Sequence, residues 1–167
     1  QNMNCKTGVI LAAGEGKRMK SALPKVLHQG CGREMVKHVS GVLTDAGVEN
    51  VIIVVGHGAE EVKAAFSGSG AAFALQAEQL GTGHAVMQAE AQIPSEGNMI
   101  VLCGDTPLIT AETIGQMAAE HEKSGALVTV LTAEEEDPTG YGRIIRSADG
   151  TVSAIVEEKD ADEAQKA

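Results

Sequence analysis

Three stretches of this chain hold residue types that can handle phosphate, a metal or a nucleobase. The first is Leu11-Ala12-Ala13-Gly14-Glu15-Gly16-Lys17-Arg18-Met19, which follows a short apolar run. Small residues let backbone N–H groups come close to an anion, and the Arg18 guanidinium adds a fork of donors suited to phosphate. The spacing is neither Gly-x-Gly-x-x-Gly nor the Gly-Lys-Ser/Thr of a phosphate loop, so on its own it also fits a tight strand-to-loop turn. Lys25 stands nearby in Leu23-Pro24-Lys25-Val26-Leu27. Pro24 stiffens the chain just before it, and a lysine held this way reaches a phosphate as a point charge. A solvated surface lysine is the competing reading.

The second stretch, Gln76-Ala77-Glu78-Gln79-Leu80-Gly81-Thr82-Gly83-His84-Ala85, sets two Gln, two Gly and a Thr between an apolar run and a helical one. Amide side chains and a helix start suit the donors and acceptors of a nucleobase edge. The third, Gly104-Asp105-Thr106-Pro107, follows a buried apolar run. A carboxylate there can share a cation such as Mg²⁺ with substrate phosphates; the alternative is an Asp that caps the coming turn. Asp137-Pro138-Thr139-Gly140-Tyr141-Gly142-Arg143 is turn-rich and holds the only Tyr. No Ser-His-Asp or Cys-His arrangement and no clustered metal-ligand spacing stands out, and His28 reads as structural. The residue types point to phosphate positioning and one metal carboxylate rather than covalent catalysis.

The elements that must position these residues alternate. Apolar runs at 9–13, 51–55, 71–76, 99–103 and 127–131 read as strands. Helical spacing occupies 35–46, with Gly47 beyond its end, and also 59–66, 82–92 and a segment after Thr110, a candidate N-cap. After Pro138 two strands are expected, 141–146 and 152–156, joined by a turn at 148–150. This order predicts an α/β domain with a Rossmann-like, mostly parallel sheet covered by helices on both faces. Ligands in such sheets bind beyond the C-terminal strand ends, so the loops starting at Gly14, Ala77 and Gly104 should converge.

Composition narrows the function. The 167 residues are 43% hydrophobic and 2% aromatic, without Trp. That supports one core built from aliphatic side chains and argues against a base-stacking surface for single-stranded nucleic acid. A net charge of −10 disfavours nucleic acid and anionic membranes. Basic residues nevertheless gather early (Lys6, Lys17, Arg18, Lys20, Lys25, Arg33, Lys37), and acids follow late, with a run at 134–137. Cys5, Cys31 and Cys103 are scattered and odd in number, which favours a reducing, cytoplasmic setting. No apolar run approaches a membrane span, and the first residues lack the basic-then-apolar pattern expected of a signal peptide.

Taken together, the segments Leu11–Met19 with 23–28, Gln76–Val86, Gly104–Leu108, Pro138–Arg146 and Ile155–Ala161 resemble the uridylyltransferase domain of the bacterial bifunctional N-acetylglucosamine-1-phosphate uridylyltransferase/glucosamine-1-phosphate acetyltransferase family. They occur in the family's order. The stretches around Gln76 and Gly140 are the more specific of them, and Lys17 departs from the family's usual Thr. The resemblance implies a nucleotidyltransferase (glycosyltransferase-A-like) fold over residues 3–167. It implies that the backbone of Leu11, Ala12, Ala13 and Gly14 wraps the nucleotide, that Arg18 holds the triphosphate and Lys25 the reacting phosphates, and that Gln76, Gly81 and Thr82 read the uracil and its neighbours. It further implies that Asp105 binds Mg²⁺ and that Gly140 and Glu157 contact the sugar. The implied substrates are UTP and N-acetylglucosamine 1-phosphate, and the product is a cell-wall precursor, UDP-N-acetylglucosamine.

In the family an Asn-Thr-Gly sugar contact, a second metal-binding Asn and a trimer-forming β-helix acetyltransferase domain follow later in the chain. The reading is therefore of a domain incomplete at its C-terminus, expected to bind uridine nucleotide weakly and to turn over slowly or not at all. A related nucleotidyltransferase using another base or sugar, and a non-catalytic nucleotide-binding module, remain open at this point.

Overall fold

The computed structural model describes residues 5–16 and 19–166. Two units are distinct, residues 1–127 and 128–167, and each is described by itself.

The first unit is built on β1 (Cys5–Ala12), whose apolar residues are buried on both faces. Val9 enters one core cluster and Ile10 the other, the period-two alternation of a strand covered on both sides. Strand β4 (Asn50–Val55) does the same with Ile52 and Val54 on one face and Ile53 and Val55 on the other. Helix α1 (Met35–Asp45) buries Val36, Val39 and Leu43, spaced three and four apart as a helical face requires. Helices α2 (Ala59–Ala65) and α4 (Ala111–Ser124) add Val62 and Ile114 to the same cluster. The opposite face is covered by Ala85 of α3 (Thr82–Gln88) and by Ala89 just beyond its end. The expected Thr110 cap is present, its side chain accepting from the Thr113 N–H at 3.2 Å.

With β5 (Ala72–Leu75) and β6 (Asn98–Cys103), the sheet is wholly parallel in the order β5-β4-β1-β6. The chain steps outward from β1 to β4 to β5, then crosses back to pair β6 on the other side of β1. That reversal is the topological switch point at which ligand crevices form. A short hairpin of β2 (Gln29–Gly30) and β3 (Arg33–Glu34) precedes α1.

The strand expected at 127–131 is not formed. Leu127, Val128, Val130 and Leu131 are exposed and have no ladder partner among the described residues. Strand propensity reflects packing against neighbours on a pleated surface, and without them it fixes nothing. Strand β6 is accordingly an edge. Ile100 and Leu102 are buried while Met99 and Val101 on its other face are exposed. The expected helix 82–92 ends at Gln88 and tightens into a 3₁₀ turn over Glu90–Gln92.

The second unit holds the antiparallel pair β7 (Arg143–Arg146) and β8 (Val152–Val156), close to expectation, and a short helix α5 (Glu163–Lys166). Tyr141 and Gly142 lie outside β7 because the Tyr141 N–H turns back onto the Pro138 carbonyl at 3.0 Å. Among the described residues no helix is long and apolar enough to cross a membrane.

Candidate functional site at the switch point

The C-terminal ends of β1 and β6 open onto a cleft of about 740 Å³, a volume suited to a nucleotide-sized ligand. Its lining brings together Leu11, Ala12, Ala13, Gly14, Lys25, Gln76, Gly81, Thr82 and Asp105, residues that the sequence reading names on separate segments. Gly140 and Glu157 belong to the second unit. Arg18 and the unusual Lys17 lie outside the described residues.

Two glycines allow the loops to approach. Gly104 donates its N–H to the Leu11 carbonyl at 2.9 Å, and a Cβ there would stand 3.1 Å from that same oxygen. Gly16 has φ of +61°, and a Cβ there would come within 2.7 Å of the Lys25 Cβ. Only glycine fills the second position without either backbone strain or displacement of the lysine.

Lys25 is not a freely solvated side chain. It opens a 3₁₀ turn, Lys25–Leu27, whose Val26 and Leu27 are buried and whose preceding Pro24 is fully buried. This anchoring projects the lysine toward the cleft, where Nζ donates to Asp105 Oδ2 at 2.6 Å across a separation of 80 residues. Asp105 in turn is not the cap of the following turn. Thr106 closes the turn that holds Asp105, donating its N–H and its hydroxyl to the Cys103 carbonyl at 3.3 and 2.7 Å. The Asp105 carboxylate lines the cleft as the partner of Lys25. Burial raises the Cys103 thiol above its ordinary value, with the Asp105 charge adding and the Lys25 charge opposing. Among the described residues no group of three or more His, Cys, Asp or Glu could hold a metal. One carboxylate fits a cation such as Mg²⁺ that completes its shell with phosphate oxygens and water.

Gln76 is only 4% exposed although it lines the cleft. Its Nε2 donates to the Gly81 carbonyl at 3.0 Å and lies 3.1 Å from His84 Nδ1. Gln79, which sequence reasoning does not single out, donates to the Ala13 carbonyl at 2.7 Å and so ties the Gln76 loop to the first loop. The signal for it was the second amide in the 76–85 stretch; its partner 66 residues earlier is visible only in three dimensions.

In the second unit, Arg143 organises the turn that contains Gly140. Its Nη1 donates to the Pro138 carbonyl at 2.9 Å and to the Tyr141 carbonyl at 2.5 Å. It also stands 2.8 Å from Glu158 Oε2, an ion pair without the alignment of a hydrogen bond. The Asp137 carboxyl accepts from the Thr139 hydroxyl and N–H, and these bonds hold it below the ordinary carboxylate range.

A wholly parallel sheet with a glycine-containing loop, a lysine–aspartate pair and glutamine side chains gathered at its switch point is an arrangement that suits a nucleotide-binding α/β protein. Residues 8–160 match the MobA-like NTP transferase domain, and the chain belongs to that family. It is 56% identical to the bifunctional protein GlmU of Heliobacterium modesticaldum over 165 residues, 98% of this chain and 36% of that protein. It is 55% identical to the GlmU of Bacillus licheniformis over the same shares. The chain thus spans about 36% of the length of these relatives. Among solved structures, a UDP-glucose pyrophosphorylase complexed with UDP-glucose superposes with a TM-score of 0.72 at 21% identity, over 92% of this chain and 69% of that one. HddC from Yersinia pseudotuberculosis complexed with GMP-PN gives 0.69 at 26% identity, over 91% and 69%.

Proposed function

We propose that the cleft binds UTP and N-acetylglucosamine 1-phosphate and transfers UMP between them. The observation that carries this reading is the meeting of Lys25, Asp105 and Gln76 at one cleft in a chain 56% identical to a GlmU protein. In this reading a phosphate oxygen of the sugar phosphate attacks the α-phosphorus of UTP. The bond from that phosphorus to the bridging oxygen breaks, and pyrophosphate leaves with the electron pair. The attacking oxygen is already anionic, so no protein nucleophile or general base is required, and catalysis is positioning plus neutralisation of charge.

Lys25 holds the reacting phosphates as a fixed positive charge. The backbone of Leu11–Gly14 wraps the nucleotide, and Arg18 adds a guanidinium to the triphosphate. Gln76, Gly81 and Thr82 meet the uracil and its neighbours. Mg²⁺, held by Asp105 and the phosphates, would supply further neutralisation of the triphosphate. Gly140 and Glu157 enter as sugar contacts on likeness alone. Use of UTP and a sugar phosphate would suit a cytoplasmic setting.

The test is pyrophosphate release from UTP plus N-acetylglucosamine 1-phosphate with Mg²⁺, beside a Lys25→Ala control. Release that needs both substrates and disappears in the control supports the transferase reading. UTP binding without release favours a nucleotide-binding module instead.

A further inference from the structure

The loop after β1 leaves the sheet with one peptide turned over. The Leu11 carbonyl accepts from the Gly104 N–H at 2.9 Å and so faces β6. Carbonyls along a strand alternate between its two neighbours, and a straight continuation would turn the Ala13 carbonyl toward β6 as well. It faces the other way. Its oxygen accepts from the His57 N–H at 3.3 Å, just beyond the end of β4, and from Gln79 Nε2 at 2.7 Å. Gly56 leaves the room for this: a Cβ there would stand 2.9 Å from the Ala13 Cβ, the Ala13 oxygen and Gln79 Nε2 alike.

A turned carbonyl aims the N–H that follows it. No peptide bond among the described residues is cis, and in a planar trans peptide the C=O and the next N–H point in opposite directions. With the Ala13 oxygen held on the β4 side, the Gly14 N–H faces the β6 side, where Lys25 meets Asp105 at 2.6 Å. Gly14 is exposed and lines the cleft, and no acceptor takes its N–H among the described residues. An unspent backbone donor beside a lysine suits a phosphate oxygen. The two donors on the Ala13 oxygen are not equal. The His57 contact is the longer. The Gln79 contact is the shorter, and an amide can approach a carbonyl oxygen only with its nitrogen.

We propose that Gln79 is a positioning residue for the phosphates: by donating to the Ala13 carbonyl it keeps the Ala13–Gly14 peptide turned over, with the Gly14 N–H presented to a phosphate oxygen of the nucleotide. Without that donor the peptide is held by the His57 contact alone. It is then free to swing back to the strand direction, which carries the Gly14 N–H away from the phosphates. The inference rests on the reading that the cleft binds a uridine nucleotide with its phosphates at Lys25, and it gives Gln79 no contact with the base.

The experiment measures Kd for UTP with Mg²⁺ and for uridine by NMR titration of the unaltered chain, Gln79→Leu and Gln79→His. Leucine keeps much of the side-chain volume and carries no donor. Histidine sets its Nε2 the same number of bonds from the backbone as the glutamine nitrogen and restores a neutral donor. The expected result is that Gln79→Leu binds UTP about two- to tenfold more weakly, the size of one net hydrogen bond, binds uridine as before, and that Gln79→His recovers most of the loss. Unchanged UTP affinity in Gln79→Leu overturns the inference and leaves the uridine reading intact. An equal loss for UTP and uridine also overturns it, because the substitution then disturbs the 76–85 loop as a whole. A further readout needs no variant: the Gly14 amide proton of the unaltered chain should move downfield as UTP binds, and an amide left in place overturns the proposal. No UTP binding by the unaltered chain overturns the inference and the uridine reading together.

Discussion

Replacing Lys25 with methionine keeps most of the aliphatic stem and removes the charge. The structure sets the size of the two effects to expect. At the observed 2.6 Å from Asp105, two unit charges attract by about 1.6 kcal/mol in bulk water and about 6 kcal/mol at an effective dielectric constant near 20. The two side chains are 34% and 32% exposed, so the cost of desolvating the pair and solvent screening reduce its net contribution to about 1 kcal/mol or less. For a chain of this length that is about 2–4 °C of melting temperature. A charge-assisted contact to phosphate is larger, about 1.5–3 kcal/mol, which raises Kd by about 10- to 150-fold. Calorimetric titration with UTP and Mg²⁺, paired with a thermal melt, reads both quantities on one sample. The expected variant melts within a few degrees of the parent and binds UTP at least tenfold more weakly. Affinity within threefold of the parent would refute the placement of Lys25 at the phosphates, and a collapse in melting temperature would show that the ion pair is structural.

The remaining predictions concern backbone, core and titration. Gly16→Ala forces a side chain into a left-handed conformation and against Lys25; it should cost about 1–2 kcal/mol and weaken UTP binding, and a denaturant melt unchanged from the parent would contradict the described loop. Leu43→Ala empties a fully buried site under β1 and should lower stability by about 2–5 kcal/mol, with UTP affinity of the remaining folded protein unaltered. Asp137 is held below the ordinary carboxylate range by Thr139. Its contribution to the turn is therefore present above the unfolded carboxylate range and lost as pH falls through the lowered folded value. A carboxyl titration by NMR should show that lowered midpoint, and Thr139→Ala should move it back up.

The sheet was legible because its strands are short apolar runs, buried on both faces in the central pair β1 and β4. The runs 51–55 and 99–103 are continuous and apolar, bounded by turn residues, and they occur as β4 and β6. The run 127–131 has the same composition, yet a strand exists only where a ladder partner does, and composition does not reveal the partner. The hairpin β2–β3 escaped because each of its strands is two residues long, too short for any period to register. The cleft was legible to the extent that strand order carries three loops to one edge of the sheet. What joins them was not. The Lys25–Asp105 and Gln79–Ala13 contacts span 80 and 66 residues, and spacing along the chain holds no trace of them.

The most direct measurement is a crystal structure of the chain with UTP and Mg²⁺. The account predicts the uracil edge at Gln76 and Gly81, the triphosphate beside the 11–14 backbone and Lys25, and the cation on Asp105. Nucleotide bound with its base away from Gln76, or its phosphates away from Lys25, would contradict it.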